Sequence, residues 1–274
     1  MEKLQKALSK ARQTRSGTPD APRTRRPAPE AAPVSAFPPI WDELAPYEPN
    51  PDLLLRNRIM TLNAQTVSNP FDILRTKVFL MMQQNGWTRL AITSPTKACG
   101  KTTTACNLAV GLSRQRENRS MLFDMDLRRP SVANMLGRKP EHSIKSLLTG
   151  EVPAQDQILR LRTNVALSMA REPVSDPAQL LLARKTAETF DQLQHEFDPD
   201  IMIFDLPPML VTDDARAFLK NVDCTLIVAR AEHTKMSQLD ICEREVSEQS
   251  NVLGVVLNSC RHVSEEEQYY GAYE

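Results

Sequence analysis

Ser94-Pro95-Thr96-Lys97-Ala98-Cys99-Gly100-Lys101-Thr102-Thr103-Thr104 is the stretch that decides the fold. The apolar run Leu90-Ala91-Ile92-Thr93 before it reads as a buried strand. The segment Ala105-Cys106-Asn107-Leu108-Ala109-Val110-Gly111-Leu112 after it suits a helix. Strand, loop and helix in this order make a phosphate-binding loop, because backbone N–H groups at a helix start point at phosphate oxygens. A bare Gly-Lys-Thr also occurs by chance, so the context carries the reading. The candidate cradle is Lys97, Ala98, Cys99, Gly100, Lys101, Thr102 and Thr103, with Lys101 reaching the β- and γ-phosphates and Thr102 meeting Mg²⁺. Pro95 stands where the motif G-x-x-x-x-G-K-[ST] expects its first glycine.

Outward from this loop, apolar strands alternate with helical segments. Strands are expected at 89–93, 120–124, 165–169, 201–205, 224–229 and 252–257. Helices are expected near 102–115, 177–196, 213–220 and 236–249, with another built on Phe71, Leu74, Val78 and Met81 and started by Asn69-Pro70. Continuous Val/Ile/Leu/Met runs separated by helices predict a doubly wound α/β domain with a mainly parallel sheet. Its ligand belongs at the carboxyl ends of the strands.

Composition bounds the rest. The 274 residues carry no formal net charge, so nothing in bulk favours nucleic acid as a partner. The five cysteines, Cys99, Cys106, Cys224, Cys242 and Cys260, are scattered and form no C-x-x-C pair, so neither a disulfide framework nor a zinc site is indicated and a reducing, cytoplasmic setting is expected. No apolar run reaches the ~18 residues of a membrane span. Residues 2–15 read as a short basic amphipathic helix, able to dock on a membrane surface or a partner or to do little. Residues 16–51 hold ten of the twenty prolines and predict a disordered linker, with Trp41, Leu44 and Tyr47 as an anchoring contact. The expected domains are therefore the helix 1–15, the linker 16–51, a folded domain 52–260 and an acidic, tyrosine-bearing tail 261–274.

Two further motifs close expected strands, Met121-Leu122-Phe123-Asp124-Met125-Asp126-Leu127-Arg128-Arg129-Pro130 and Ile201-Met202-Ile203-Phe204-Asp205-Leu206-Pro207-Pro208. A buried strand that delivers a carboxylate beside a phosphate loop is a means of holding Mg²⁺. If the strand ran on regularly, Asp124 and Asp126 would share a face, one serving the metal and one an incoming hydroxyl. Of the four tyrosines in the chain, Tyr269, Tyr270 and Tyr273 crowd the end, behind Ser264-Glu265-Glu266-Glu267-Gln268. A docked terminus would also place tyrosines there.

Together these motifs resemble those of the bacterial tyrosine kinases, the CpsD/CapB-type autokinases of capsule and exopolysaccharide synthesis, over about residues 70–274. The likeness extends to Asp176-Pro177-Ala178-Gln179-Leu180-Leu181, to Val211-Thr212-Asp213-Asp214-Ala215 and to the run ending at Asn258. It implies a ParA/MinD-like P-loop NTPase fold and ATP with Mg²⁺ as cofactors. It also implies metal contacts from Thr102, Asp126 and Asp205, Asp124 as base for a tyrosine hydroxyl, and Asn258 near adenine. The acceptors it implies are Tyr269, Tyr270 and Tyr273, and the partner is a membrane polysaccharide co-polymerase at the inner face of the membrane. The family's oligomerisation signature, Glu-x-x-Arg-x-x-Arg, falls on Asn69, Asp72 and Arg75, so only its last position matches; a homo-oligomer stays open. Leu206 replaces a threonine.

Two other readings compete. A ParA/MinD-type positioning ATPase would carry a lysine at Thr96, and Lys97 is one position late. A non-catalytic ATP-binding regulator of a co-polymerase would not need Lys101, Asp124, Asp126 and Asp205 together.

Overall fold

The computed structural model describes residues 37–64 and 69–260. The expected basic helix at 2–15 and the tail 261–274 lie outside the described residues. The elements run α1 (Ile40–Glu43), β1 (Ala45–Tyr47), α2 (Pro51–Arg56), α3 (Asn69–Asn85), β2 (Arg89–Thr93), α4 (Lys101–Leu112), β3 (Ser120–Asp124), α5 (Val132–Leu136), α6 (Ile144–Thr149) and α7 (Ala154–Gln157). They continue with β4 (Leu159–Leu161), β5 (Val165–Ser168), α8 (Pro177–Leu182), α9 (Arg184–Phe197), β6 (Ile201–Asp205), α10 (Asp214–Leu219), β7 (Cys224–Arg230), α11 (Met236–Ser247) and β8 (Asn251–Asn258).

Among the described residues the strands form one sheet in the order β1-β4-β5-β3-β6-β2-β7-β8. Only β4 and β5 pair antiparallel. The parallel strands are buried on both faces, and their side chains alternate between two cores. Ala91, Met121, Phe123, Met202 and Phe204 point to one side. Leu90, Ile92, Leu122, Ile201 and Ile203 point to the other. On the first side Phe123 stacks on Phe204 at 5.1 Å, and Phe190 of α9 meets both rings edge-on. That geometry is favoured by the ring quadrupoles. The opposite core seats α4 against the sheet through Ala105, Leu108, Ala109 and Leu112.

Three expectations need correction. The folded chain begins before residue 52. Trp41 is buried, donates its indole N–H to Phe197 O at 2.8 Å and meets the Phe197 ring edge-on. Residues 45–47 add a parallel edge strand to β4. The anchoring contact expected of Trp41, Leu44 and Tyr47 is present, since all three are buried. Secondly, the single helix expected over 177–196 is two, because Ala183 turns extended (ψ 135°) between α8 and α9. Thirdly, β3 stops at Asp124, so Asp124 and Asp126 do not lie on one regular strand face.

Candidate nucleotide and phosphoryl-transfer site

The ends of β2, β3 and β6 meet in register, Ile92 opposite Asp205 and Asp205 opposite Asp124. The phosphate loop leaves β2 at this point. Gly100 caps α4 in the left-handed region at φ 95°. The left-handed turn favours glycine, and a Cβ at Gly100 would also displace the Asn258 side chain that packs against it. The Asn258 amide donates to Cys99 O at 2.9 Å, which brings β8 onto the loop. Arg230 Nη1 holds the same loop through Ala98 O at 3.2 Å. Cys99 is buried against Thr96 and Thr234, whereas Lys97 and Ala98 are exposed. The Thr103 carbonyl accepts from Asn107 Nδ2 within α4.

Lys101, Thr102, Asp126 and Asp205 converge. Lys101 Nζ lies 2.8 Å from Asp126 Oδ2 and 3.6 Å from Asp205 Oδ1. Thr102 Oγ1 donates to Asp205 Oδ2 at 2.6 Å. Burial alone would lower the Lys101 pKa, but the charges of Asp205, Asp126 and Asp124 hold its ammonium above the ordinary value. Asp205 is fully buried, and that burial raises its carboxyl despite Lys101 and the Thr102 hydroxyl. Asp124 stands well above the ordinary carboxyl value, through burial first and then the charge of Asp205. Its Oδ2 accepts the N–H groups of Ser131 and Val132 at 3.1 and 3.0 Å, which pins the start of α5 to the site.

The residues fit a metal–nucleotide complex. Asp124 Oδ1 and Asp205 Oδ1 are buried without a hydrogen bond. Three carboxyls face one ammonium. Among the described residues no three His, Cys, Asp or Glu side chains form a closed metal site by themselves. Such an arrangement suits Mg²⁺, which takes one or two carboxylates and completes its shell with phosphate oxygens and water.

The sequence reading missed three contacts here. Ser131 Oγ lies 3.1 Å from Thr102 Oγ1. Arg128 binds the buried Asp214 through two hydrogen bonds, at 2.7 and 3.1 Å. Arg75 and Arg114 both grip Asp72, and Arg75 also donates to Gly111 O at the end of α4. The quoted motifs contained Arg128 and Asp214, but nothing local pairs Arg128 with Asp214, Ser131 with Thr102 or Arg114 with Asp72; only Arg75 and Asp72 are neighbours on one helix.

The family described as ParA, NUBPL iron-transfer P-loop NTPase, matches residues 88–272. The chain belongs to that P-loop NTPase family. Among the curated relatives, CapB of Staphylococcus aureus is 25% identical over 210 residues, spanning 76% of this chain and 90% of CapB. Tyrosine-protein kinase Wzc of Salmonella typhi is 27% identical over 218 residues. That match takes 76% of this chain but only 30% of Wzc, so the chain spans less than a third of that relative. The solved kinase domain of Escherichia coli tyrosine kinase ETK shares the fold with a TM-score of 0.63 at 22% identity, over 73% of this chain and 79% of that one. Among the described residues no helix is long and apolar enough to cross a membrane.

Proposed function

We propose that this P-loop NTPase is an ATP-dependent protein-tyrosine kinase that phosphorylates its own C-terminal cluster, Tyr269, Tyr270 and Tyr273. The observation that carries the reading is the convergence of Lys101, Thr102, Asp126 and Asp205 beside Asp124, in a chain whose relatives include named tyrosine kinases. Bound with ATP, Mg²⁺ would supply charge neutralisation between the β- and γ-phosphates. Thr102, Asp126 and Asp205 would hold it. Lys101 releases its carboxylates to meet phosphate, and the loop N–H groups orient the triphosphate. Asp124, buried and with its Oδ1 without a hydrogen-bond partner, accepts the proton of the tyrosine hydroxyl. Asn258, bonded to the loop at Cys99 O, is the candidate adenine contact.

By the same likeness the kinase serves exopolysaccharide synthesis beside a membrane co-polymerase, associates peripherally with the membrane's inner face and needs no nucleic acid. The ParA-family match keeps a positioning ATPase as the second reading. Mass spectrometry of protein incubated with Mg²⁺-ATP separates them. Phosphate on the terminal tyrosines supports the kinase, whereas ATP turnover without phosphotyrosine, even with the membrane partner present, supports the ATPase.

A further inference from the structure

A cavity of about 350 Å³ opens where α5 ends and is lined by Asn134, Arg138, Lys139 and Arg171 among others, with no acidic residue in its wall. All three cations are exposed. The backbone acceptors at this end of α5 are already taken: Tyr47 Oη donates to Leu136 O, and Asn57 Nδ2 to the carbonyls of Asn134 and Met135. The helix end therefore does not absorb the positive charge. Arg171 has one acidic neighbour, Glu172, at 3.8 Å on the surface, and donates to Glu141 O.

The cavity lies on the reaction side of the sheet. Arg171 follows β5 and α5 follows β3, adjacent parallel strands whose carboxyl ends face the phosphate loop. α5 starts at the site, where Asp124 holds Ser131 and Val132, and ends at the cavity. Its five residues rise about 7.5 Å. In an extended peptide at ~3.3 Å per residue, Glu267 lies about 7 Å and Glu265 about 13 Å before Tyr269. The rise of α5 matches the span from Tyr269 to Glu267, and Glu265 reaches beyond it.

From this we infer that the cavity is a docking subsite for the acidic run Glu265-Glu266-Glu267, which selects tyrosines preceded by carboxylates. The inference deepens the kinase reading and rests on it for the occupant. The segment is named because its charge complements Arg138, Lys139 and Arg171, and its distance from Tyr269 spans α5.

The test uses the full-length chain carrying Glu265→Gln, Glu266→Gln and Glu267→Gln in its own tail, so that it competes little. Fluorescent peptides of residues 261–274, native or with the same three substitutions, are titrated at low salt, and their phosphorylation is followed separately. The native peptide should bind about tenfold tighter than the neutral one, since exposed charges act additively and are weakly screened there. Arg138→Glu with Lys139→Glu should erase that preference while leaving binding of the neutral peptide unchanged. Arg138→Gln with Lys139→Gln should give an intermediate loss. A peptide with Glu265→Lys, Glu266→Lys and Glu267→Lys should in turn favour the Glu variant. Equal binding of native and neutral peptides to the starting chain, or an undiminished preference in the Glu variant, overturns the subsite. Charge-dependent binding without any phosphotyrosine, even with the membrane partner present, upholds the subsite and removes the kinase reading instead.

Discussion

Lys101 pairs with Asp126 and Asp205 and feels the charge of Asp124, and that decides what its loss does. Lys101→Met should abolish measurable ATP binding and turnover, because the β- and γ-phosphates lose their countercharge. It should also cost the free protein about 3 kcal/mol, since breaking a buried pair leaves a carboxylate uncompensated. Calorimetric ATP titration and urea unfolding check the two effects, and unchanged affinity with unchanged turnover would refute the assignment. Asp124→Asn is a different case. The amide oxygen can still accept the N–H groups of Ser131 and Val132, so ATP binding should persist. Loss of the proton acceptor should lower phosphotyrosine formation about 10²–10⁴-fold. Labelling at the wild-type level would move that role to another residue.

At the scale of elements, α1 and β1 clip the edge of the sheet that carries α5. Trp41→Ala should cost about 3–5 kcal/mol, as expected for emptying a large buried aromatic site. A chain beginning at residue 52 should lose a similar amount, and urea titration of both reads the prediction. Tyr47 makes the clip pH-sensitive. Burial raises its phenol from 10.0 to about 12, with its hydroxyl proton given to Leu136 O. Below pH 10 both folded and unfolded chains keep that proton. Between pH 10 and about 12 the unfolded chain loses it first, so stability falls with rising pH by about 2–3 kcal/mol. Tyr47→Phe should be about 1 kcal/mol less stable at neutral pH, having lost a buried hydrogen bond. It should then become the more stable protein near pH 12. Parallel stability curves for the two proteins would refute this.

For the molecule as a whole, the kinase reading turns on reach. Eleven residues separate Asn258 from Tyr269, about 36 Å when extended. That length serves the chain's own site or a neighbour's. Removal of residues 265–274 should abolish self-labelling while leaving ATP affinity intact. Labelling per chain should rise with protein concentration if transfer runs between molecules. Each phosphate would add about −1.5 to −2 charges beside Glu265, Glu266 and Glu267. The phosphorylated tail should therefore leave a site already filled with nucleotide phosphate, and any oligomer held by tail insertion should loosen, which light scattering before and after ATP addition would show.

The sequence by itself determined the parallel sheet, the phosphate loop and which aspartates end the central strands, because those signals are local. An uninterrupted apolar run, a glycine before a helix and a carboxylate closing a strand each act within a few residues. Only the tertiary structure decided that residues 37–51 fold. β1 is Ala45-Pro46-Tyr47, too short and too proline-bearing to show a period, and it exists because β4 offers it an edge. The short helices α5, α6 and α7 likewise escaped, since a helix of four to six residues owes its stability to packing rather than to propensity. Long-range pairing also decided the roles within the site. It tied Asp124 to the start of α5, Asp126 to Lys101 and Asn258 to the phosphate loop, contacts that join residues from 7 to 159 positions apart and leave no mark on local spacing.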